Sequence, residues 1–274
     1  MLLVMIIGLI GWSTMSAQMD QAMESFAIAK YQECLLYLQE DESAEGCMLR
    51  ADAYHKMQQL EDALEQYDLA EEYGYPELDL FLHRGICLVT LELLDQAEID
   101  LLTYFTSNPN NPKVHYYLAA VDYYDANYRE ALFHLDVAIE KDATYMDAYI
   151  LRATVLSAQN KKISAEKAFE ECLEKDPNNE RALLNLAIIQ LDLMKPEKAI
   201  ELLDQLVKEQ GDLTAEALYY RGMAYENNHN KDAACEDWNT ASNLGDEYAS
   251  NLVSQVCQKG KKAPKNKRKT SVSF

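Results

Sequence analysis

Glycine and proline are scarce in this 274-residue chain, at nine and six residues. With no sustained apolar/polar alternation either, that scarcity argues against all-β and βαβ architectures, which need frequent turns and strand-period patterning. Residues 1–17 hold no charged side chain, and residues 259–274 hold no acidic one. No apolar run reaches the ~20 residues that a membrane-crossing helix needs. Catalytic signatures are missing too: there is no G-x-S-x-G, no phosphate loop, no H-E-x-x-H and no C-x-x-C. The five histidines (His55, His83, His115, His134, His229) are scattered without ligand spacing. No metal, no cofactor and no enzymatic activity are therefore expected.

What is present suits a globular protein, with 49% hydrophobic and 26% charged residues. Acidic side chains number 46 against 25 basic ones, for a net charge of −21. Seven of the basic groups fall in the stretch 259–274, so residues 18–258 carry 18 basic against 46 acidic side chains, a net of −28. A body that acidic repels phosphate backbones, and no nucleic-acid partner is expected.

The first 17 residues, MLLVMIIGLIGWSTMSA, join an apolar run from Leu2 to Trp12 to a small, polar stretch. That pattern fits the hydrophobic region and cleavage zone of a signal peptide, although no Lys or Arg follows Met1. The expectation is an exported chain, periplasmic or secreted, beginning near Gln18; if the segment stays uncleaved, it becomes an inner-membrane tether.

A 34-residue period runs through the middle of the chain. Alanine recurs at Ala63, Ala97, Ala131, Ala165 and Ala199, with Ala234 one residue late. Twelve residues before each lies another small residue: Ala51, Gly85, Ala119, Ala153, Ala187 and Gly222. Four residues after each lies a large apolar one: Tyr67, Leu101, Leu135, Phe169, Leu203 and Trp238. Within a copy, positions 4, 7, 8 and 11 share one face of a first helix, and positions 20, 24 and 27 share one face of a second. Small residues at 8 and 20 allow the two backbones to approach closely. One pair cannot bury its own apolar face, so the copies must stack.

This pattern resembles the tetratricopeptide repeat family, whose copies have this period. The first-helix motif appears as Arg50-Ala51-Asp52-Ala53-Tyr54 and Arg221-Gly222-Met223-Ala224-Tyr225. The resemblance implies an all-α fold, a right-handed α-solenoid of stacked antiparallel helix pairs. Its six copies are 44–77, 78–111, 112–145, 146–179, 180–213 and 215–248. Departures are Asp122 and Gln190 at position 11 and Lys162 and Pro196 at position 17, all usually apolar. Residues 18–43 read as a degenerate capping copy with Ala22, Phe26, Tyr31, Cys34 and Leu38 inward. Residues 246–258 read as a capping helix that covers the last pair through Tyr248, Leu252 and Val256. The basic stretch 259–274 lacks apolar periodicity and is expected to be disordered.

Members of the family bind ligands in a concave groove lined by positions 2, 5, 9, 12 and 13 of the first helices. Carried over, these positions give Met48, Leu82, Ile86, Tyr116, Tyr123, Ile150, Leu184, Ile188, Tyr219 and Met223 as the candidate groove, with Asp52, His55, Asp147, Arg181, Asp192 and Glu226 among its polar members. The resemblance implies a non-enzymatic scaffold that holds a protein or peptide ligand there; the alternative is a membrane-tethered assembly factor for an envelope complex. Tyr116 and Tyr123, seven residues apart, are expected to form an aromatic anchor. Burial of part of this column by neighbouring helices stays open as well. Membrane contact is expected only through an uncleaved N-terminal segment or through the basic tail on anionic lipid. The stretch around Cys235 and Trp238, followed by Cys257, resembles the C-terminal ends of exported repeat proteins of Bacteroidota-type bacteria. That implies a Cys235–Cys257 bridge, while spacing alone leaves two unpaired thiols possible.

Overall fold

The computed structural model describes residues 16–258; most of the expected signal segment and the whole basic tail lie outside them. The described residues are helical, with no strand among them. The chain divides at Val121/Asp122 into two compact units.

The first unit begins with a helix over 16–27 (α1) and α2 (Tyr31–Tyr37). Two helix pairs follow, α3 (Ala44–Lys56) with α4 (Leu60–Glu72), then α5 (Asp79–Thr90) with α6 (Leu94–Ser107). Helix α7 (Pro112–Tyr124) carries the division between units. The second unit continues with α8 (Tyr128–Lys141), then the pairs α9 (Met146–Ala158) with α10 (Lys162–Lys175), α11 (Glu180–Asp192) with α12 (Pro196–Glu209), and α13 (Thr214–Asn227) with α14 (Lys231–Asn243). A short α15 (Glu247–Leu252) runs on into a π-helical turn, Val253–Gln258.

The columns that the period picks out are buried in every copy, the small residues at position 8 and the large ones at position 24 alike. Where the large residue is Trp238, its partner is a glycine for a steric reason. A Cβ on Gly222 would sit 2.4 Å from Trp238 Nε1, and that indole N–H donates to the Tyr219 carbonyl at 3.1 Å. Second helices pack against the next first helix in turn (α4 on α5, α10 on α11, α12 on α13), so within each unit the pairs stack. Helix starts are capped where the sequence offers a suitable side chain: Ser43 accepts from Gly46 N, Asn179 from Ala182 N, and Asp246 from Ala249 N.

Two devices recur that the apolar columns do not announce. Position 15, the turn inside each pair, is left-handed in every copy: Gln58, Glu92, Ala126, Asn160, Met194 and His229 have φ of 58–61°. None is glycine, so each carries backbone strain. Position 7 is arginine in four copies, and it clamps the pair. Arg84 grips Asp100 with Nε and Nη2 (2.7 and 3.0 Å) and reaches back to Asp68 and Glu71 of the preceding copy. Arg221 does the same with Asp237 (2.8 and 2.7 Å) and Asp204. Arg152 joins Glu171 and Asp136, and Arg50 binds Gln66 and the Leu38 and Asp41 carbonyls of the capping copy. Each clamp ties a copy to the segment before it with charge-assisted hydrogen bonds.

The departures at positions 11 and 17 of the fifth copy are each accommodated locally. Gln190 is buried, and its amide donates to Glu166 Oε1 at 2.9 Å, which also accepts from Lys195 Nζ at 2.8 Å. Those two hydrogen bonds hold Glu166 below the ordinary carboxylate range. Pro196 sits in the first turn of α12, where its missing N–H costs nothing. At the C-terminal end, Leu252 and Val256 are buried against the last pair, but Tyr248 is 51% exposed and Ala249 takes the inward place expected of it. The helix begins at Glu247, which turns the residue after Tyr248 towards α14.

Candidate protein-binding face

Within the second unit, α9 touches α11 and α11 touches α13, so three first helices lie side by side as one layer. Ile150, Leu184, Ile188, Tyr219 and Met223 come from this layer, and all five are buried. Leu184, Ile188, Tyr219 and Met223 share one apolar cluster with Ala187, Leu203 and Trp238, and Ile150 packs with Ala153 and Phe169. In the first unit, Met48, Leu82 and Tyr116 are buried as well, and Ile86 is half-buried. Expected as projecting contacts, eight of these ten residues instead contribute to packing, because their columns adjoin the close-packed small-residue columns. Tyr116 is buried beside Tyr117 (ring centroids 4.9 Å apart), whereas Tyr123 is half-buried with its ring 6.2 Å from Tyr128. The two tyrosines are thus not an evenly exposed anchor.

Polar first-helix positions remain more open. Arg181 pairs with Asp147 across α11 and α9, and Asp192 and Glu226 are half-buried. In the first unit, Asp52 is the hub of a polar network. Its Oδ1 accepts from Tyr67 Oη at 2.7 Å and contacts His83 Nδ1 at 2.8 Å, while His55 Nδ1 lies 3.4 Å from Tyr67 Oη. Burial lowers His55 below its ordinary value, partly opposed by Asp52. Burial pulls His83 the same way, but the hydrogen bond and charge of Asp52, with Asp79 behind it, outweigh that and hold it raised. The sequence placed Asp52 and His55 on the groove side; their 31- and 12-residue partners could be found only by folding the pairs together.

His115 is a packed residue, its ring edge-on to Phe105 and its Nε2 2.9 Å from the Pro109 carbonyl. Among the described residues no three His, Cys, Asp or Glu side chains gather as a metal site. Cys34, Cys47, Cys87 and Cys172 are buried thiols; burial pushes Cys87 up to about 12, and Cys34 and Cys172 up to about 11, leaving them inert near neutrality. Cys235 and Cys257 are joined in a disulfide that ties the end of the π-helical turn to the start of α14.

The described residues define an all-α helical-repeat protein made of stacked antiparallel helix pairs. Residues 159–224 match the tetratricopeptide repeat family. The fold is that of a solved tetratricopeptide repeat protein from Parabacteroides merdae (TM-score 0.71, 15% identity, 89% of this chain and 99% of that one) and of PilW, described as a widely conserved type IV pilus biogenesis factor (TM-score 0.68, 17% identity, 77% and 98%). A stretch of 63 residues, 23% of this chain, is 38% identical to the peroxisomal targeting signal receptor of Candida albicans. The chain spans about a tenth of the length of the curated relatives it matches.

Proposed function

We propose that the protein is a non-enzymatic interaction scaffold that holds an extended segment of a partner protein against its first-helix layer. The continuous layer of α9, α11 and α13 carries this reading. It offers a closed apolar floor, with Asp147, Arg181, Asp192 and Glu226 as polar groups beside it. A floor already packed costs little ordering on binding, so modest contacts suffice. Tetratricopeptide repeats serve in general as non-enzymatic protein-binding scaffolds. The net −28 over residues 18–258 disfavours a nucleic-acid partner.

The test is site-specific photocrosslinking in the native host. A benzophenone amino acid in place of Glu226 or Asp192 should trap a discrete protein partner, and one in place of Glu170 or Glu174, exposed on α10, should not. Adducts from α10 alone would sink the reading.

Export across the inner membrane is the proposed setting, resting on the Leu2–Trp12 run and the Cys235–Cys257 bridge, which suits an oxidising compartment. An N-terminus near Gln18 on the mature chain is the expected result. An intact Met1 chain in the membrane fraction would replace this with the second reading, a tethered assembly factor, to which the likeness to a pilus biogenesis factor lends some support.

A further inference from the structure

The second unit contains a trough on its second-helix side that the groove reading does not use. Helix α12 ends at Gln210 in the left-handed region (φ 55°), and α13 starts at Thr214, whose hydroxyl donates to the Gly211 carbonyl at 2.7 Å. A cleft of about 650 Å³ lies between α12 and α14, lined by Val207, Leu218, Leu244, Asp212, Glu236 and Thr240 among others.

The charge of this trough is one-sided. Arg221, at its back, is the only cation of its lining and is held by Asp237 and Asp204. Asp212 and Glu236 are exposed and form no ion pair among the described residues, and Leu244 beside them is 57% exposed. An aliphatic floor with open carboxylates fits lysine and arginine side chains, whose methylene stems cover apolar surface while their heads meet the acids.

The chain itself supplies such a segment. Lys259 to Lys269 holds seven cations and no acid. It follows directly on Gln258, and the Cys257–Cys235 bridge fixes that point to α14 one residue before Glu236. Eleven extended residues reach roughly 35–40 Å, against about 20 Å for the 13-residue α14. A short tether also gives the segment an effective concentration on the order of millimolar.

We propose that the trough between α12 and α14 is the docking site of the chain's own basic segment, Lys259–Lys269. Its ammonium groups meet Asp212 and Glu236, and its stems lie over Val207 and Leu244. The site is independent of the first-helix face.

Zero-length carbodiimide crosslinking of the full, oxidised chain tests this, with peptide mapping and a mixture of light and ¹⁵N-labelled protein. The expected result is a set of isopeptide bonds from Lys259–Lys269 concentrated on Asp212 and Glu236 and joining residues of one chain. These should fall at least fivefold at about 0.5 M salt, where the screening length is a few ångströms. They should vanish in Asp212→Asn plus Glu236→Gln, with the helical spectrum unchanged. Links spread over the acidic surface in proportion to exposure would overturn the proposal. So would links between light and heavy chains, which would make the occupant a second copy.

Discussion

Gly222→Ala tests the pairing of positions 8 and 24 within a helix pair. The new Cβ would lie 2.4 Å from Trp238 Nε1, 2.6 Å from Cδ1 and 2.9 Å from Cε2. Ordinary contact would require the ring to retreat by roughly 1 Å. Trp238 has no room to do so, being fully buried with its N–H on the Tyr219 carbonyl. Overpacking of this kind costs about 1–3 kcal/mol, while alanine gains about 1 kcal/mol over glycine in a helix. With the ring pinned, the clash falls at the upper end, for a net loss of about 2 kcal/mol. In a Trp238→Phe background the same substitution should become neutral or stabilising, because Ala153 already faces Phe169 in the fourth copy. Repeats unfold in parts, so the readout is hydrogen exchange of peptides from α13 and α14, supported by urea unfolding of the full chain. An equal cost in both backgrounds would refute the steric reasoning.

The arginine clamps should differ sharply in worth. Arg221→Ala leaves Asp237, only 7% exposed at its side chain, as an unpaired buried charge and should cost about 3–5 kcal/mol. Arg152→Ala releases carboxylates that are 66% and 42% exposed and should cost about 1 kcal/mol or less in urea unfolding. Met194→Gly relieves a left-handed, 76% exposed residue and should raise the stability of the α11–α12 pair by about 1 kcal/mol, read by hydrogen exchange. In the first unit, His55 and His83 give a pH dependence. The raised His83 stabilises fully below the ordinary histidine value and loses that contribution as pH rises through its own pKa; the lowered His55 stabilises above the ordinary value and loses it as pH falls. Exchange protection of α3 and α5 should therefore peak near pH ~6.5, with His83→Gln removing the alkaline decline and His55→Gln the acid one.

How much of this could be read from sequence depends on the kind of interaction. Columns 8, 20 and 24 are legible because close packing imposes the same size choice in every copy. The clamps are half legible: Arg84–Asp100 and Arg221–Asp237 share a 16-residue spacing, but Arg152 uses Glu171 instead, so no single column gives them away. The left-handed turns left no trace, since side chains from alanine to methionine occupy a position where glycine would have been diagnostic. Gln190 looked like a packing fault and is a polar one-off, explained only when Glu166 and Lys195 are brought beside it. The candidate face is the weakest case. Periodicity names the residues of a helix face, but whether Leu184 or Tyr219 projects or packs depends on how tightly the neighbouring first helix lies against it.

The central claim is that a partner segment is held on the layer of α9, α11 and α13. Its most direct test is titration calorimetry of the crosslinked partner, once identified, against the wild-type chain and against Arg181→Ala plus Glu226→Ala, with Glu170→Ala plus Glu174→Ala as the outer-face control. Loss of groups beside the floor should weaken binding about tenfold or more, about 1.4 kcal/mol or more, while the control binds as wild type and both variants keep the helical spectrum. Unchanged affinity in the first variant together with a loss in the control would contradict the claim and move binding to the second helices.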